Sequence, residues 1–440
     1  MDAGGLNNHR NTKAMYAALT RILSEKEIRN KILFILGALV VYRIAAVVPL
    51  PGVDVLQLQR FFDENQFLGL LNVFAGGGIS SVSIVLLGVA PYITASIIMQ
   101  LLTTVIPRLE KIYKEEGEAG RQKFNMVTRW LTIPLAVIQT FSMISLLRSQ
   151  GVLGEITAFD TTAMVIIATA GTVLLMWLGE LITEKGLGNG VSIMIFAGIM
   201  AGIPGVLARF LDTFGQSPDD FFNNIVFAIV ALLMVAGIVF VNEAQRTIPI
   251  SYAKRIRGGI AAAGTSTHLP LRVNQAGVIP IIFAVSLIIL PNVVAGYLMK
   301  TATNPTVASF ASSAYYLFQN QWFYGLLYFS LVVVFTYFYT AVIFDPMKIA
   351  ENLQKQGGYV PGIRPGTPTV EYLSKVLGHV TLVGAVFLGT VAVLPVAVRG
   401  LTGVQSLTIG GISILIVVSV VLEMVKHIQS QLAMRSYEGF

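Results

Sequence analysis

Residues with catalytic or metal-binding chemistry are few in this sequence and are not spaced as a site. The chain has no cysteine, which excludes disulfides, thiolate nucleophiles and Cys-ligated zinc. Four histidines stand at positions 9, 268, 379 and 427 without an HExxH pair, so we predict no metal site. The sequence also lacks a GxxxxGK[ST] phosphate-binding loop and a paired nucleophile and base. We therefore predict no catalytic residue, no cofactor and no ATP hydrolysis, and any energy for transport must come from a partner.

Ionisable residues are nearly absent from the long apolar segments of the chain. Glu180, Glu243, Asp345 and Glu423 lie at the ends of such segments, and Arg43 alone lies clearly inside one. Proton- and ion-coupled transporters place ionisable groups near the bilayer centre. The pattern therefore disfavours a secondary transporter with an inverted-repeat fold, which we keep as the alternative function. For Arg43, which is costly at the bilayer centre, we favour a structural role.

The composition indicates a protein whose main solvent is lipid. Hydrophobic residues make up 55% of the 440 positions and charged residues only 12%, about half the share that soluble domains carry. A membrane-spanning helix needs about 20 apolar residues, and such runs recur along the whole chain. We predict an all-α, polytopic membrane protein with ten spans: 31–50, 84–106, 126–147, 163–182, 191–207, 225–241, 278–298, 322–344, 380–398 and 412–425.

The distribution of Lys and Arg predicts the orientation. Counting loops and flanks, 24 of the 30 basic residues fall on the side of the two termini and 5 on the other side, with Arg43 inside the first span. Basic residues accumulate in cytoplasmic loops. We therefore predict a multi-pass membrane protein with both termini cytoplasmic and the first span acting as its own signal.

Ten spans divide the chain into two halves of five, with a pathway expected at the interface of an inverted repeat. The predicted organisation is a cytoplasmic segment 1–30, a first half 31–207, a second half 208–427 and a cytoplasmic tail 428–440. Two cytoplasmic loops, 243–273 and 345–375, are longer than ordinary connectors. In the first loop, Ser251–Arg257, Gly258-Gly259 and Ile260–Thr267 predict a strand, a two-residue turn and a second strand, because Gly-Gly tolerates positive φ.

The segment 67–78, FLGLLNVFAGGG, is apolar but too short to cross a bilayer. A half-helix that enters the membrane from the outer side fits this length, because irregular backbone at that depth is tolerated where it lines a cavity. An interfacial helix lying flat is the alternative for this segment alone. Together with the aliphatic spans, the interruption argues against a third reading of the chain as an inert scaffold subunit.

Seven stretches carry a family resemblance over nearly the full length, from about Arg29 to Tyr437. They are VPLPGVD (48–54), NVFAGGGIS (72–80), LGVAPYITASIIMQLL (87–102), KEEGEAGRQK (114–123), MWLGELITEKGLGNGVSIMIFAGI (176–199), STHLPLRVNQAGVIP (266–280) and GGYVPGIRPG (357–366). In order and spacing the chain resembles the SecY family, the central subunits of the bacterial Sec protein-translocation channel. The resemblance implies an hourglass pore between two five-helix halves, through which unfolded polypeptides cross the membrane.

The resemblance also assigns a pore ring and a plug. The implied ring of aliphatic side chains at the waist consists of Val89, Ile93, Val191, Ile195, Ile282 and Ile416. Two of these are valine where many family members have isoleucine. The half-helix 67–78 matches the family's plug, with Phe67, Leu68, Leu70, Leu71, Asn72, Val73 and Phe74 among its residues.

The family's lateral gate lies between spans two and three on one side and spans seven and eight on the other. Thr94, Gln139 and Asn274 match its polar cluster. The long basic loops match docking sites for the ribosome and the SecA motor ATPase, through Lys254, Arg255, Arg257 and Arg364. Gly258-Gly259 stands where many members carry two basic residues. Other implied partners are SecE-like and SecG-like small membrane subunits, the translocating polypeptide with its signal peptide, and the lipid bilayer.

Overall fold

A computed structural model describes residues 25–50, 82–114, 116–149, 151–154, 156–213, 218–252, 256–257, 260–261, 266–302, 304–402 and 410–438. Within these ranges the chain is mainly helical. The helices are α1 Lys26–Val47, α2 Ala90–Val105, α3 Pro107–Lys114, α4 Gly117–Ser149, α5 Ala158–Lys185, α6 Gly190–Thr213, α7 Pro218–Glu243, α8 Ile279–Thr301, α9 Pro305–Gln319, α10 Gln321–Ile343, α11 Pro346–Lys355, α12 Thr367–Thr402 and α13 Gly410–Glu438. The strands are β1 Gln245–Tyr252, β2 Ile256–Arg257, β3 Ile260–Ala261, β4 Ser266–Arg272 and β5 Gly358–Tyr359.

Each of the ten predicted spans falls on an apolar helix. Among the described residues, seven helices are long and apolar enough to cross a membrane, or eight if α2 and α3, which are bent by 112° at their junction, are counted as one broken span. The apolar parts of α6 and α8, Gly190–Gly205 and Ile279–Ile288, are shorter and account for the remaining two predictions. The α-helical, polytopic fold class is therefore confirmed, while α9 was not predicted.

The predicted start of the second span is wrong. We expected the helix to begin at Ile84, but residues 82–89 form turns and α2 begins at Ala90. Gly88 has a φ of +56°, a conformation that breaks a helix and favours glycine. Pro91 then stands in the first turn of α2, where its missing N–H is not needed. The local backbone chemistry thus outweighs the continuous apolar run.

The structure divides into two compact units, Met1–Asp212 with Val420–Phe440, and Thr213–Ser419. The predicted halves at 31–207 and 208–427 stay a prediction. In the first unit, α4 packs against α2 and α5, and α5 also contacts α1. In the middle of α4, the buried positions at four-residue spacing hold small residues, namely Thr128, Thr132, Ala136 and Thr140. Small residues let helix backbones approach closely in a membrane, where the hydrophobic effect does not drive packing.

In the second unit, α10 packs along α12 and α8 packs against both α9 and α10. Aromatic side chains fill these contacts. The ring of Phe283 on α8 meets Phe335 and Tyr339 of α10 edge to face, with centroids 5.8 and 5.9 Å apart. Such T-shaped pairs contribute about 0.5–1.5 kcal/mol each beyond the burial of their area. Helix packing in the second unit thus uses aromatic contacts, whereas the middle of α4 in the first unit uses small residues.

The two long loops of the second unit meet in one sheet with the strand order β4-β1-β5. β1 pairs with β4 from Gln245↔Arg272 to Ser251↔Ser266, and with β5 through Ser251↔Tyr359. At the tip, β2 and β3 pair through Arg257↔Ile260, which confirms the hairpin around Gly258-Gly259. The longer strands β1 and β4, however, lie closer in sequence to α7 and α8 than the predicted strands Ser251–Arg257 and Ile260–Thr267. The pairing of β1 with β5, which joins the two loops, was not predicted.

A small apolar core lies beneath this sheet. Ile248 of β1, Leu271 of β4 and Leu373 of α12 are buried together with Val360, which follows β5. Ile349 of α11 packs at its edge. The loops 243–273 and 345–375 thus form a folded layer with its own core, rather than solvated connectors.

Candidate pore ring and lateral gate

The first two residues of the predicted ring lie at the start of α2. Val89 is the N-cap residue of the helix and Ile93 lies one turn later. Residues four apart share a face of a helix, so the two side chains point the same way. Both are buried. The turn before them packs against α5 at Gly171, where an added Cβ would lie 2.1 Å from the carbonyl oxygen of Ile84. Glycine at this position is therefore what allows the turn to reach α5.

The next two ring residues lie at the start of α6. Ile195 is buried and Val191 is half-buried. The Asn189 side chain caps the helix by accepting hydrogen bonds from the backbone N–H groups of Val191 and Ser192, at 3.0 and 3.2 Å. Capping by asparagine satisfies donors that have no partner within the helix. The first turn of α6 is thereby fixed where the ring residues begin.

A tight turn holds α6 against α5. A Cβ added at Gly190 would lie 2.0 Å from the carbonyl oxygen of Gly179, so the two backbones are in contact. The hydroxyl of Thr183 accepts a hydrogen bond from the Gly190 N–H at 2.9 Å and donates to the Gly179 carbonyl at 2.8 Å. α5 is thus the common support for both pairs of ring residues in the first unit.

The remaining ring residues belong to the second unit. Ile282 lies in the first turn of α8 and its N–H donates to the carbonyl of Val278 at 3.3 Å. Pro280 occupies the start of this helix, the position at which proline is tolerated best. Ile416 lies on α13, and both isoleucines are buried. All four helices that carry ring residues therefore place one in their first or second turn.

The predicted gate residues have polar partners within their own units. On the first unit, the Gln139 amide of α4 donates to the Thr94 hydroxyl of α2 at 3.5 Å. Thr94 also donates to the Ala90 carbonyl of its own helix at 3.0 Å. The structure thus brings together two of the three predicted side chains, through a long and weak hydrogen bond.

Asn274 has a partner that we did not predict. Its side-chain amide donates to Oδ1 of Asn242 at 2.7 Å, and the Asn242 amide donates to the Ser419 hydroxyl at 3.0 Å. These bonds join the segment before α8 to α7 and α13. The signal in the sequence is an asparagine at the end of an apolar run, AGIVFVNE, which costs free energy to bury without a partner.

The docking residues and the plug are described only in part. The plug, with Phe67, Leu68, Leu70, Leu71, Asn72, Val73 and Phe74, lies outside the described residues, as do Lys254 and Arg255. For Arg257 only the strand is described. Arg364 is exposed, and its carbonyl accepts a hydrogen bond from the Thr369 hydroxyl at 2.9 Å. The turn that carries it is shaped by Gly362 and Gly366, with φ of +83° and +97°.

Arg43 lies beside an open apolar groove between α1 and α6. The groove has a volume of about 1080 Å³ and its walls are formed mainly by aliphatic side chains. It belongs entirely to the first unit. Among the described residues, no three His, Asp or Glu side chains converge as metal ligands do. The candidate site in the described residues therefore consists of aliphatic side chains near helix starts and of the hydrogen-bonded side chains Gln139–Thr94 and Asn274–Asn242.

The comparisons with known proteins identify the family of the chain. A family model described as SecY matches residues 83–425. The chain is 44% identical to the protein translocase subunit SecY of Streptomyces coelicolor, over 97% of this chain and 100% of that protein. This chain belongs to the SecY family. The SecY protein of Mycobacterium bovis is 42% identical over the same shares of both chains.

Solved structures show the same fold at lower sequence identity. A protein-conducting channel superposes with a TM-score of 0.63 at 19% identity, over 90% of this chain and 91% of the channel. Sec61 from a canine ribosome-channel complex superposes with a TM-score of 0.60 at 18% identity, over 90% and 91% of the two chains. These matches place the chain in the SecY fold and give no support to the secondary-transporter alternative.

Proposed function

We propose that this chain is the channel-forming subunit of a protein translocase. It moves unfolded secretory polypeptides across the membrane and releases signal and membrane segments sideways into lipid. The single observation that carries the proposal is 44% identity with a SecY translocase subunit over 97% of this chain. The aligned sequence extends over nearly the whole chain and so includes the segments that carry the proposed ring and gate residues. The proposed function therefore does not rest on one motif.

The proposed seal is the ring of Val89, Ile93, Val191, Ile195, Ile282 and Ile416. A narrow constriction lined by aliphatic side chains dewets and blocks ions and water. The same side chains can part around a polypeptide of any sequence, because they offer no hydrogen bond that favours one residue over another. The plug 67–78 would add a second barrier when no substrate is present.

The proposed gate sorts substrates by partitioning into lipid. A signal segment with about ten leucines, at about −0.5 kcal/mol each, contributes about −5 kcal/mol on entering the membrane. The polar groups of Thr94, Gln139 and Asn274 would bias the closed gate by only a few kcal/mol, because hydrogen bonds in membranes average about 0.6 kcal/mol. The apolar segment can therefore compete with the closed gate without a chemical step. This balance requires no catalytic residue and no cofactor.

We also propose the membrane and partners of the chain. The excess of Lys and Arg on one side supports insertion in the bacterial plasma membrane with both termini cytoplasmic. The ribosome is a proposed partner because Sec61, a solved structural relative, comes from a ribosome-channel complex. SecE-like and SecG-like subunits and the SecA motor follow from family membership. Purification of this polypeptide alone, fully active, would contradict the small-subunit proposal.

Single-channel recording in planar bilayers tests the pore assignment. We expect the Ile282→Asn variant to conduct ions in the absence of substrate, because a polar waist stabilises a water column. Deletion of residues 67–77 should give weaker, intermittent leaks, because the aliphatic ring still dewets. The control Ile282→Leu keeps the waist apolar and should stay silent. If Ile282→Asn and the deletion are as silent as the parent channel, the ring and plug assignments are wrong.

Charge reversal at Arg364 tests the docking loop. Because Arg364 is exposed in the cytoplasmic layer and not in a span, Arg364→Glu should impair translocation without loss of protein. A like charge at the contact disrupts docking of a complementary partner. Arg364→Lys keeps the charge and should retain most of the activity. Normal secretion by Arg364→Glu at an unchanged protein level would rule out this role.

A further inference from the structure

A chain of polar side chains, of which Asn274 is buried and Asn242 and Ser419 are partly buried, links three segments of the second unit. Asn274 donates to Asn242 at 2.7 Å, and Asn242 donates to Ser419 at 3.0 Å. Asn274 lies in the segment 273–278 between β4 and α8, Asn242 lies at the end of α7, and Ser419 lies on α13. The side chain of Asn242 is therefore the link between the segment before α8 and the last helix.

Asn274 depends on this link for its side-chain hydrogen bonding. It is only 7% exposed, and its Oδ1 has no hydrogen-bond partner among the described residues. A buried amide that loses its partner becomes more costly to keep in place, because neither water nor lipid replaces the bond. The position of Asn274 is thus sensitive to what stands at position 242.

The same segment is held by its backbone on two further sides. The N–H of Val273 donates to the carbonyl of Ala244 at 2.9 Å. A Cβ added at Gly384 of α12 would lie 2.4 Å from the carbonyl oxygen of Val273. After these contacts Gly277, with a φ of +65°, turns the chain into α8. The segment 273–278 therefore fixes the position at which α8 begins and, with it, the position of Ile282 in the first turn.

The hydrogen bond between Asn242 and Asn274 also lies at the end of the β1–β4 ribbon that is nearest to α7 and α8. The β1–β4 ribbon ends at the pair Gln245↔Arg272, and the backbone bond between Val273 and Ala244 continues it by one residue pair. The side-chain bond between Asn242 and Asn274 follows directly. The β1–β4 ribbon is thus joined directly to the segment before α8 by these bonds.

We propose that Asn242 and Ser419 are positioning residues that hold Asn274, and with it the start of α8, in the resting position of the gate. The inference rests on the proposed function, because it assigns a role to these residues in the same gate. A weak polar contact suits this role, since the contact can break when a signal segment enters or when a partner moves the ribbon. Loosening it lowers the apolarity that a signal needs to open the channel.

An export assay with two reporters tests the proposal in cells that depend on this channel. One reporter carries a strongly apolar signal of about ten leucines, and a matched reporter carries a signal in which several leucines are alanine. The measured quantity is the ratio of weak-signal to strong-signal export at equal channel level. We expect Asn242→Leu, similar in size but without hydrogen bonds, to raise this ratio on the order of 3-fold, the size of one intramembrane hydrogen bond.

Two further variants separate positioning from a general loss of packing. Ser419→Ala should raise the ratio less than Asn242→Leu, because Asn274 keeps its direct partner. The double variant Asn242→Leu/Ser419→Ala should match Asn242→Leu alone, since both changes act through Asn274 and effects within one network do not add. Ser330→Ala, whose hydroxyl donates only to the carbonyl of Leu326 on its own helix, is the matched control and should leave the ratio at the parent value.

The outcomes distinguish failure of the inference from failure of the proposed function. If the parent chain exports neither reporter, the proposed function is wrong. If the parent is active and the ratio stays at the parent value in Asn242→Leu and Ser419→Ala, the positioning role is overturned. Additive effects of the two changes overturn it as well. If Asn242→Leu does not accumulate, Ser419→Ala decides by itself, with a ratio above that of Ser330→Ala in support and an equal ratio against.

Discussion

In the first unit, the starts of α2 and α6 rest on α5 where glycine leaves two backbones in contact, at Gly171 and Gly190. In the second unit, α8 and α12 pack against α10 through aromatic side chains, as at Phe283 and Phe329. A backbone contact cannot yield, whereas an aromatic side chain can rotate. The helix contacts at Gly171 and Gly190 should therefore tolerate less change than the aromatic contacts around α10, and Gly384 of the second unit, which also meets a backbone carbonyl, should behave like Gly171 and Gly190. The predictions below test this difference from the largest expected effect to the smallest.

The largest effect is expected for Gly190→Val. An added side chain would meet the carbonyl oxygen of Gly179 at 2.0 Å, and neither backbone can move without shifting α6. We expect destabilisation of about 3 kcal/mol or more, at the upper end of overpacking. Thermal unfolding in detergent and the protein level in membranes measure it. Gly202→Val on the same helix is the control, because an added Cβ there meets nothing within 4 Å. Equal loss in both variants would contradict the backbone-contact account.

A smaller effect is expected for Leu373→Ala in the sheet layer of the second unit. Leu373 is fully buried in the core beneath the sheet, so its truncation loses hydrophobic transfer free energy and leaves a cavity. We expect a loss of about 2–4 kcal/mol, seen as faster proteolysis of the layer. The matched control, Leu382→Ala on the same helix, is 48% exposed and should change little. A comparable loss at Leu382 would remove the distinction between the two kinds of core.

Gly389→Ala should cost less than a change at Gly190. An added Cβ would lie 2.7 Å from Cδ2 of Phe329, which is a side chain that can turn aside. We expect about 1 kcal/mol, the lower end of overpacking, measured by thermal unfolding alongside Gly190→Ala. If Gly389→Ala were the more damaging of the two alanine variants, the aromatic packing would be as unyielding as the backbone contact.

The smallest effect is expected for Thr183→Val, which keeps the size of the side chain but removes its hydroxyl. The Gly190 N–H then loses its acceptor at 2.9 Å, while the contact between the backbones of Gly179 and Gly190 remains. Hydrogen bonds in membranes average about 0.6 kcal/mol and reach about 1.7 kcal/mol, so we expect a loss within that range. Thermal unfolding of the variant measures it, with Thr183→Ser as the control that retains the hydroxyl. A loss as large as that of Gly190→Val would show that the hydroxyl, rather than the close approach, holds the turn.

Much of the fold was predictable because the bilayer imposes a simple rule on sequence. Ten apolar runs became ten helical segments, and the Gly258-Gly259 pair lies between β2 and β3 as predicted. The start of α2 was not predicted, because hydropathy does not report the positive φ of Gly88. The pairing of β1 with β5 was missed as well, since residues so far apart in sequence leave no local signal of their contact.

For the candidate site, the resemblance supplied the residue types and positions but not their partners. The ring and gate residues remain predictions, although the structure places Gln139 beside Thr94. Asn242 and Ser419 were not predicted, because a single polar residue in an apolar run has no periodic pattern. Their relation to Asn274 exists only in three dimensions.

By itself the sequence determined the solvent, the number of spans and the family of this protein. The solvent and the number of spans follow from the free energy of placing each residue in lipid or water, which is nearly local and adds along the chain. The family follows from the ordered sequence motifs. Only the tertiary structure decided that α5 supports two helix starts, that the two long loops share a sheet, and that Asn274 is held from α7. Such contacts depend on backbone geometry at a few glycines and on side-chain pairs distant in sequence, and no local term contains them.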